Sequence, residues 1–378
     1  MKIALFSDTY EEGYGGVTVY VRELSKFLIN QGHEVKVFVW DSKNLTKEDR
    51  EICETFPAIE VVKEVRGKAG IAPASITLKV KKFSPDLIHN HSQYTMGMHA
   101  IAISKILRIP LINHYHMYLE KIILYLPFLL QKTKKVTLYS IETFTKLFFN
   151  SGNMVITPTQ VMKDYLKKIG VNKPIKVVPF GIDLNKFKAL EVKKDETFTF
   201  LHVGRLNKEK NINLLIERFY EFAKGKNVKL KIIGDGPEKK NIKEFIKEKK
   251  LENKVEILGW KKREELPLEY SSAHCFIMLS DSETFGIVVL EAMACGLPII
   301  GANEAAIPEL VEDGINGFLV NIKNKDSILD KMNQLYENPN LQIEFSKNSR
   351  IIAKKFEKNL VFKSLEDIYF DLVKDKKR

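Results

Sequence analysis

Short β-branched apolar runs alternate with longer amphipathic stretches along the whole chain. Lys2–Ser7 reads as a strand. Val17–Asn30 reads as a helix that gathers Val17, Val21, Leu24, Phe27 and Leu28 on one side before Gly32 ends it. Glu34–Trp40 is the next strand, and Asp86–His89, Pro110–Asn113 and Met154–Thr157 continue the series. A second series starts near residue 197, with strands at Phe198–Val203, Lys229–Ile233, Lys254–Leu258, Cys275–Leu279 and Pro298–Ile300 and a helix at Ile212–Lys224. Strands this apolar, separated by helix-length segments, predict mostly parallel sheets with helices on both faces. The Pro- and Gly-punctuated segment Val177–Asp183 falls between the two series and reads as a linker. The expected fold class is α/β, with two doubly wound Rossmann-like domains facing across a cleft, residues 1–180 and 181–357.

Composition narrows this only slightly. At 378 residues, 44% apolar and 29% charged, the chain is ordinary globular protein of two-domain length. Its longest apolar run, Ile122–Leu130, is far short of the ~20 residues of a membrane-spanning helix. MKIALFSDTY lacks the apolar core of a signal peptide, and Cys53, Cys275 and Cys295 are too few and too scattered for a disulfide framework or a metal cluster. A cytoplasmic protein is expected. Lys and Arg outnumber Asp and Glu by 60 to 48, for a net +12. Solvated helix faces absorb most of the lysines, and the rest leave room for an anionic partner. No zinc-finger, helix-turn-helix or RNA-recognition signature supports nucleic acid.

Four segments carry candidate chemistry. In the first, Ser280–Pro298, an apolar strand ends in a polar turn holding Glu283, and a helix begins about Phe285. Gly286 lets a ligand approach the backbone, and free amides at a helix start favour a phosphate. Glu291 follows two turns down nearly the same side and sits inside an apolar run, where a carboxylate needs a partner. In the second, Gly204–Asn211, Arg205 and Lys210 follow the first strand of the second series and could clamp a diphosphate; surface charges on a loop are the plainer alternative. The third, Asp8–Gly16, ends in Gly15-Gly16 before the first helix but has Thr18 where a dinucleotide fingerprint needs its third glycine. The fourth is the histidine group His89, His91, His99, His114 and His116. It shows no third metal ligand in acidic company, so no metal is expected, and structural histidines are the default.

These segments together resemble glycosyltransferase family 4. FGIVVLEAMACGLPII with its two glutamates, the GRLNKEKN loop, the early glycine pair, PDLIHNHS and PFGID are collinear with that family from residue 1 to about 370. The resemblance implies the two-domain GT-B fold, with the C-terminal helix (about 358–378) returning to the first domain. It also implies a nucleotide-sugar donor, retention of anomeric configuration and no metal or other cofactor. By the same resemblance Arg205 and Lys210 hold the donor diphosphate, Glu283 contacts the donor sugar and Glu291 the ribose. Gly15 and Gly16, with the backbone of Phe285, Gly286 and Ile287, complete the donor site, and His116 stands beside the reacting centre. The catalytic set is then His116, Glu283, Arg205 and Lys210. Two departures stand out: Ala305-Ala306 replaces a common glycine pair, and Met117 follows His116 where lipid-glycosylating relatives often have Thr.

Residues 117–150 crowd aromatic and aliphatic side chains around Pro127 and follow them with Lys132, Lys134 and Lys135. That pattern fits an interfacial segment on an anionic membrane, or a helix packed on the sheet. Family resemblance around Tyr115, His116 and Glu120 favours the diacylglycerol glycosyltransferases. The leading expectation is hexose transfer from a UDP-sugar such as UDP-glucose to a lipid hydroxyl such as diacylglycerol, on the inner face of the cell membrane. A soluble sugar or small-molecule acceptor is the alternative. Behind it stand a nicotinamide-dependent oxidoreductase and a non-catalytic membrane-binding module.

Overall fold

The computed structural model describes residues 1–11, 15–62, 67–70, 73–116 and 133–377. The chain divides into two units, Met1–Gly181 with Asn359–Arg378, and Ile182–Lys358.

In the first unit β1 (Lys2–Ser7), β2 (Glu34–Trp40) and β3 (Cys53–Phe56) precede a hairpin of β4 (Ile59–Val62) and β5 (Gly67–Ala69). Then come β6 (Leu87–Asn90), β7 (Leu111–His114), β8 (Met154–Thr157) and β9 (Ile175–Val177). Seven of these form one sheet in the order β3-β2-β1-β6-β7-β8-β9, and every pairing is parallel. Ile3–Phe6 are wholly buried because a central parallel strand is covered on both faces. Phe6 stacks on Phe38 of β2 over one core, which the helices Pro73–Phe83 and Thr95–Leu107 close with Ile76, Val80, Met96 and Ala100. The last helix, Lys358–Lys377, returns to this unit. Its Glu366 meets His33 Nε2 at 2.6 Å, and its Tyr369 hydroxyl bonds His89 Nδ1.

The second unit repeats the plan with β10 (Phe198–Val203), β11 (Val228–Ile233), β12 (Val255–Gly259), β13 (Cys275–Met278), β14 (Ile299–Ala302) and β15 (Gly317–Val320). The strand order is β12-β11-β10-β13-β14-β15, again all parallel. The Ile212–Phe222 helix presses Ile216, Phe219 and Phe222 onto Phe200, Leu230 and Ile277. Both orders reverse beside the first strand of the unit, between β1 and β6 and between β10 and β13. Open α/β sheets take their ligands at the carboxyl ends of strands flanking such a reversal. No helix of the described residues is long and apolar enough to cross a membrane, and all three cysteines are buried and free.

The turn after β11 shows how tightly one such edge is built. Gly234 has φ +145°, and a Cβ placed there would lie 1.8 Å from the Gly204 carbonyl oxygen. Gly234→Ala should therefore cost about 3 kcal/mol or more of stability, combining backbone strain with a clash against main chain. Urea unfolding checks this, and a midpoint equal to that of the parent would show that the two turns can separate freely.

Candidate active site

Two groups of polar side chains gather at the two reversal points. In the second unit, β13 runs out into Ser280–Glu283, and the Ile287–Ala294 helix starts behind Gly286, whose φ of +89° turns the chain into it. The start lies two residues past the position expected from sequence. The first amides of such a helix have no intrahelical acceptor and face whatever lies before it. Phe285 packs inward on Phe356, 5.9 Å between ring centroids, so this segment presents backbone rather than its aromatic side chain.

Lys210, in the one-turn 3-10 helix Lys208–Lys210, pairs with Glu283. Neighbouring Asn211 donates from Nδ2 to the Leu279 carbonyl at 2.9 Å, which ties that turn to the end of β13. The carbonyl of Glu283 accepts from Ala306 N at 3.1 Å, bringing the Asn303–Glu309 loop to the same place. Ala305 there adopts φ +51°, the left-handed region that favours glycine. Arg205 follows β10 and is exposed. His202 lies on β10, its Nδ1 3.1 Å from the Ile277 carbonyl oxygen, and burial pushes its pKa down to about 4.

Glu291 is 2% exposed, and each of its carboxylate oxygens has a partner. Arg263 Nε donates to Oε1 at 2.9 Å and the Tyr270 hydroxyl donates to Oε2 at 3.1 Å. Burial raises its pKa, and the Arg263 charge and both hydrogen bonds act against that rise. The partner that the apolar run demanded is therefore an arginine 28 residues upstream, which sequence reasoning did not find.

In the first unit, Gly15 and Gly16 stand where the Gly16–Asn30 helix begins. Asp8, just past β1, accepts from the Ser92 hydroxyl at 2.5 Å across the reversal point, and burial lifts its pKa to about 6. Asp8 was not singled out in the sequence, because a lone aspartate after a strand carries no signal there. The ends of β6 and β7 bring four histidines together. Rings of His89 and His91 have centroids 3.9 Å apart, those of His114 and His116 3.8 Å, and His91 Nδ1 lies 2.9 Å from His116 Nε2. All four are buried, and burial drives their pKa values down, that of His116 to about 3. Tyr115 is buried against Phe149. Lys134 and Lys135 are exposed at the start of the Lys134–Phe149 helix. Glu120, Lys132 and the Ile122–Leu130 run lie outside the described residues.

The histidines also gather more donors than the sequence suggested. Ring nitrogens of His89, His91 and His114 lie within 4.8 Å of one another. The His89 and His114 rings are nearly parallel, 8° apart with centroids at 5.4 Å.

Comparison with known proteins follows the same two-unit division. Residues 14–186 match the model of glycosyltransferase family 4, and residues 184–351 match that of the glycosyl transferases group 1. The chain is 30% identical to the alpha-monoglucosyldiacylglycerol synthase of Acholeplasma laidlawii, over 99% of this chain and 98% of that one. It is 29% identical to the enzyme of the same name from Streptococcus pneumoniae, over 84% and 75%. Among solved structures, sucrose-phosphate synthase of Thermosynechococcus elongatus superposes with a TM-score of 0.79 at 21% identity, over 98% of each chain. HepE of Anabaena in complex with UDP-glucose gives 0.78 at 21%, over 98% of this chain and 100% of that one. The fold class is GT-B, as expected.

The Arg263–Glu291 pair makes a pH-dependent prediction. Arg263→Ala leaves Glu291 buried beside the Tyr270 hydroxyl alone and moves its pKa further up. An acid raised in the folded state favours folding when protonated, below its unfolded pKa, and loses that advantage as pH climbs through the folded pKa. The variant's deficit should thus be largest above neutrality, about 2–3 kcal/mol, and shrink as pH falls toward about 5. Denaturation at both pH values checks this, and a deficit independent of pH would mean Glu291 is not the group left unpaired.

Proposed function

The chain belongs to the glycosyl transferases group 1 and is a glycosyltransferase, and from that premise we propose that it moves a hexose, with retention, from a UDP-sugar such as UDP-glucose to a lipid hydroxyl such as diacylglycerol. The single observation that carries the lipid acceptor is the near-complete collinearity with the Acholeplasma laidlawii synthase. A structural neighbour bound to UDP-glucose supports the donor.

The second unit holds the donor in this reading. Arg205, Lys210 and the amides at the start of the Ile287–Ala294 helix take the diphosphate and stabilise the charge that develops as it leaves. Glu283 meets the donor sugar and Glu291 the ribose. Backbone of Phe285, Gly286 and Ile287 lies along sugar and phosphate, and Gly15 and Gly16, by the family resemblance, belong to the donor-binding set. His116 borders the reacting centre in this reading, and Tyr115 and Glu120 are assigned to the acceptor by the family resemblance. No metal enters the mechanism, because fixed cations supply the positive charge.

The first unit offers the lipid side. The Lys134–Phe149 helix leaves Val136, Tyr139 and Leu147 about two-thirds exposed and begins with Lys134-Lys135. Beside it lies a groove of about 460 Å³ with almost wholly apolar walls, between Tyr94, Thr95 and Met98 on one side and Thr137, Ile141 and Phe144 on the other. An apolar helix face flanked by lysines suits the interface of an anionic bilayer on the inner face of the cell membrane, where each lysine is worth about 1 kcal/mol.

Mass spectrometry of products from UDP-sugars offered with diacylglycerol vesicles tests the proposal. A hexosyl-diacylglycerol product is expected, and transfer only to soluble sugars would replace the lipid reading with the alternative. Arg205→Ala and Lys210→Ala should each cut turnover about 10²–10³-fold, with near-normal rates in both refuting the diphosphate clamp. On the membrane side, replacing Lys132, Lys134 and Lys135 by Glu should release the protein from anionic vesicles in sedimentation without changing its affinity for UDP. Wild-type protein that ignores such vesicles at low salt would remove the interfacial role of this helix.

A further inference from the structure

Five imidazole nitrogens in the first unit's histidine group have no hydrogen-bond partner among the described residues: His89 Nε2, His91 Nε2, both nitrogens of His114, and His116 Nδ1. Two contacts break this pattern, the Tyr369 hydroxyl on His89 Nδ1 and the 2.9 Å approach of His91 Nδ1 to His116 Nε2. The rings of His91 and His116 are at most 4% exposed, and burial holds both neutral. A neutral imidazole carries one donor and one acceptor, so the shared contact holds a single proton and fixes the tautomers of both rings together.

Two arrangements satisfy that contact. If His91 donates, both rings carry their proton on Nδ1, the form that imidazole side chains favour less. If His116 donates, both carry it on Nε2, the favoured form, and His116 Nδ1 is left as a bare lone pair. The second arrangement keeps both rings in the favoured form, and its consequence is chemical. We propose that His91 is a positioning residue that accepts the Nε2 proton of His116 and so presents His116 Nδ1 to the substrate as a hydrogen-bond acceptor. That atom is then ready to accept a hydrogen bond from a hydroxyl of the sugar or the acceptor. Because burial keeps His116 from protonating until about pH 3, the acceptor persists across the working range. The rings of Tyr20 and Phe180 lie 5.6 and 5.7 Å from that of His116, and His114 stacks on it face to face.

This inference rests on the reading that His116 borders the reacting centre, and two measurements separate the layers. Long-range ¹⁵N–¹H correlation of the histidine rings, assigned with His116→Gln, should show His116 protonated on Nε2 in the wild type. In His91→Phe, which keeps a flat ring and removes the acceptor, that preference should weaken. The same variant should lose about tenfold in kcat, the worth of one neutral hydrogen bond, with donor KM unchanged. His91→Asn, whose side-chain oxygen can take the place of Nδ1, should restore most of the rate. A wild-type His116 protonated on Nδ1 would overturn the proposal whatever the kinetics. The expected spectra with unchanged kcat in His91→Phe would reduce His91 to a packing residue, and full activity in His116→Gln would overturn this proposal and the role of His116 together.

Discussion

A parallel strand buried on both faces accepts an unpaired polar group only at a cost, since each would lose water and gain no partner. Polar chemistry in such a sheet is pushed to the strand ends, and it accumulates where neighbouring chains leave in opposite directions. That constraint arranges everything of functional interest here. β1 and β6 release Asp8, His91 and Ser92 at one reversal point, and β10 and β13 release Arg205 and Glu283 at the other. The fold does not merely carry these side chains; the burial of Ile3–Phe6 and of Phe200 and Leu201 forces them to the edge.

Much of this was legible in the sequence because the central strands are continuous apolar runs and their ends are marked by glycine or polar residues. β1, β2, β8 and β10 fall where the pattern puts them. β3, β9 and β15 were not read, being strands of three or four residues at or beside sheet edges, where one face or one end meets polar surroundings and periodicity has too few positions to register. The turn containing Glu283 and the burial of Glu291 followed from local pattern alone. The partners of Glu291 did not. Arg263 and Tyr270 come from 28 and 21 residues away, and nothing local marks an arginine as the one that will reach a buried carboxylate. The histidines were visible as residue types, but their stacking depends on the spacing of β6 and β7 and on Tyr369 arriving from the last helix.

The two carboxylates of the second unit are held in different ways, and the difference suits the roles proposed for them. Glu283 is paired with a lysine on a one-turn segment, both side chains partly open to solvent, and its own carbonyl anchors a neighbouring loop. A point charge on a flexible stem can leave such a pair when a more highly charged diphosphate arrives. In the proposed reading this pair holds Lys210 oriented near the place assigned to the diphosphate. Glu291 instead sits deep in the unit between Arg263 and Tyr270, and neither partner is free to leave without stranding a buried charge.

A carboxylate offers about four lone-pair sites, and Arg263 and Tyr270 occupy one on each oxygen of Glu291. The remaining sites can accept two further donors without disturbing the first two. A ribose presents two adjacent hydroxyls, so the proposed role asks for no rearrangement of the pair. It also accounts for the arginine. Burial alone would raise the carboxyl toward its neutral form, and a protonated carboxyl accepts hydrogen bonds less well. Arg263 opposes that rise and so favours the charged carboxylate, while Tyr270 fixes the direction of one oxygen. The acceptor strength of Glu291 toward a ligand therefore depends on a guanidinium that need not touch the ligand at all.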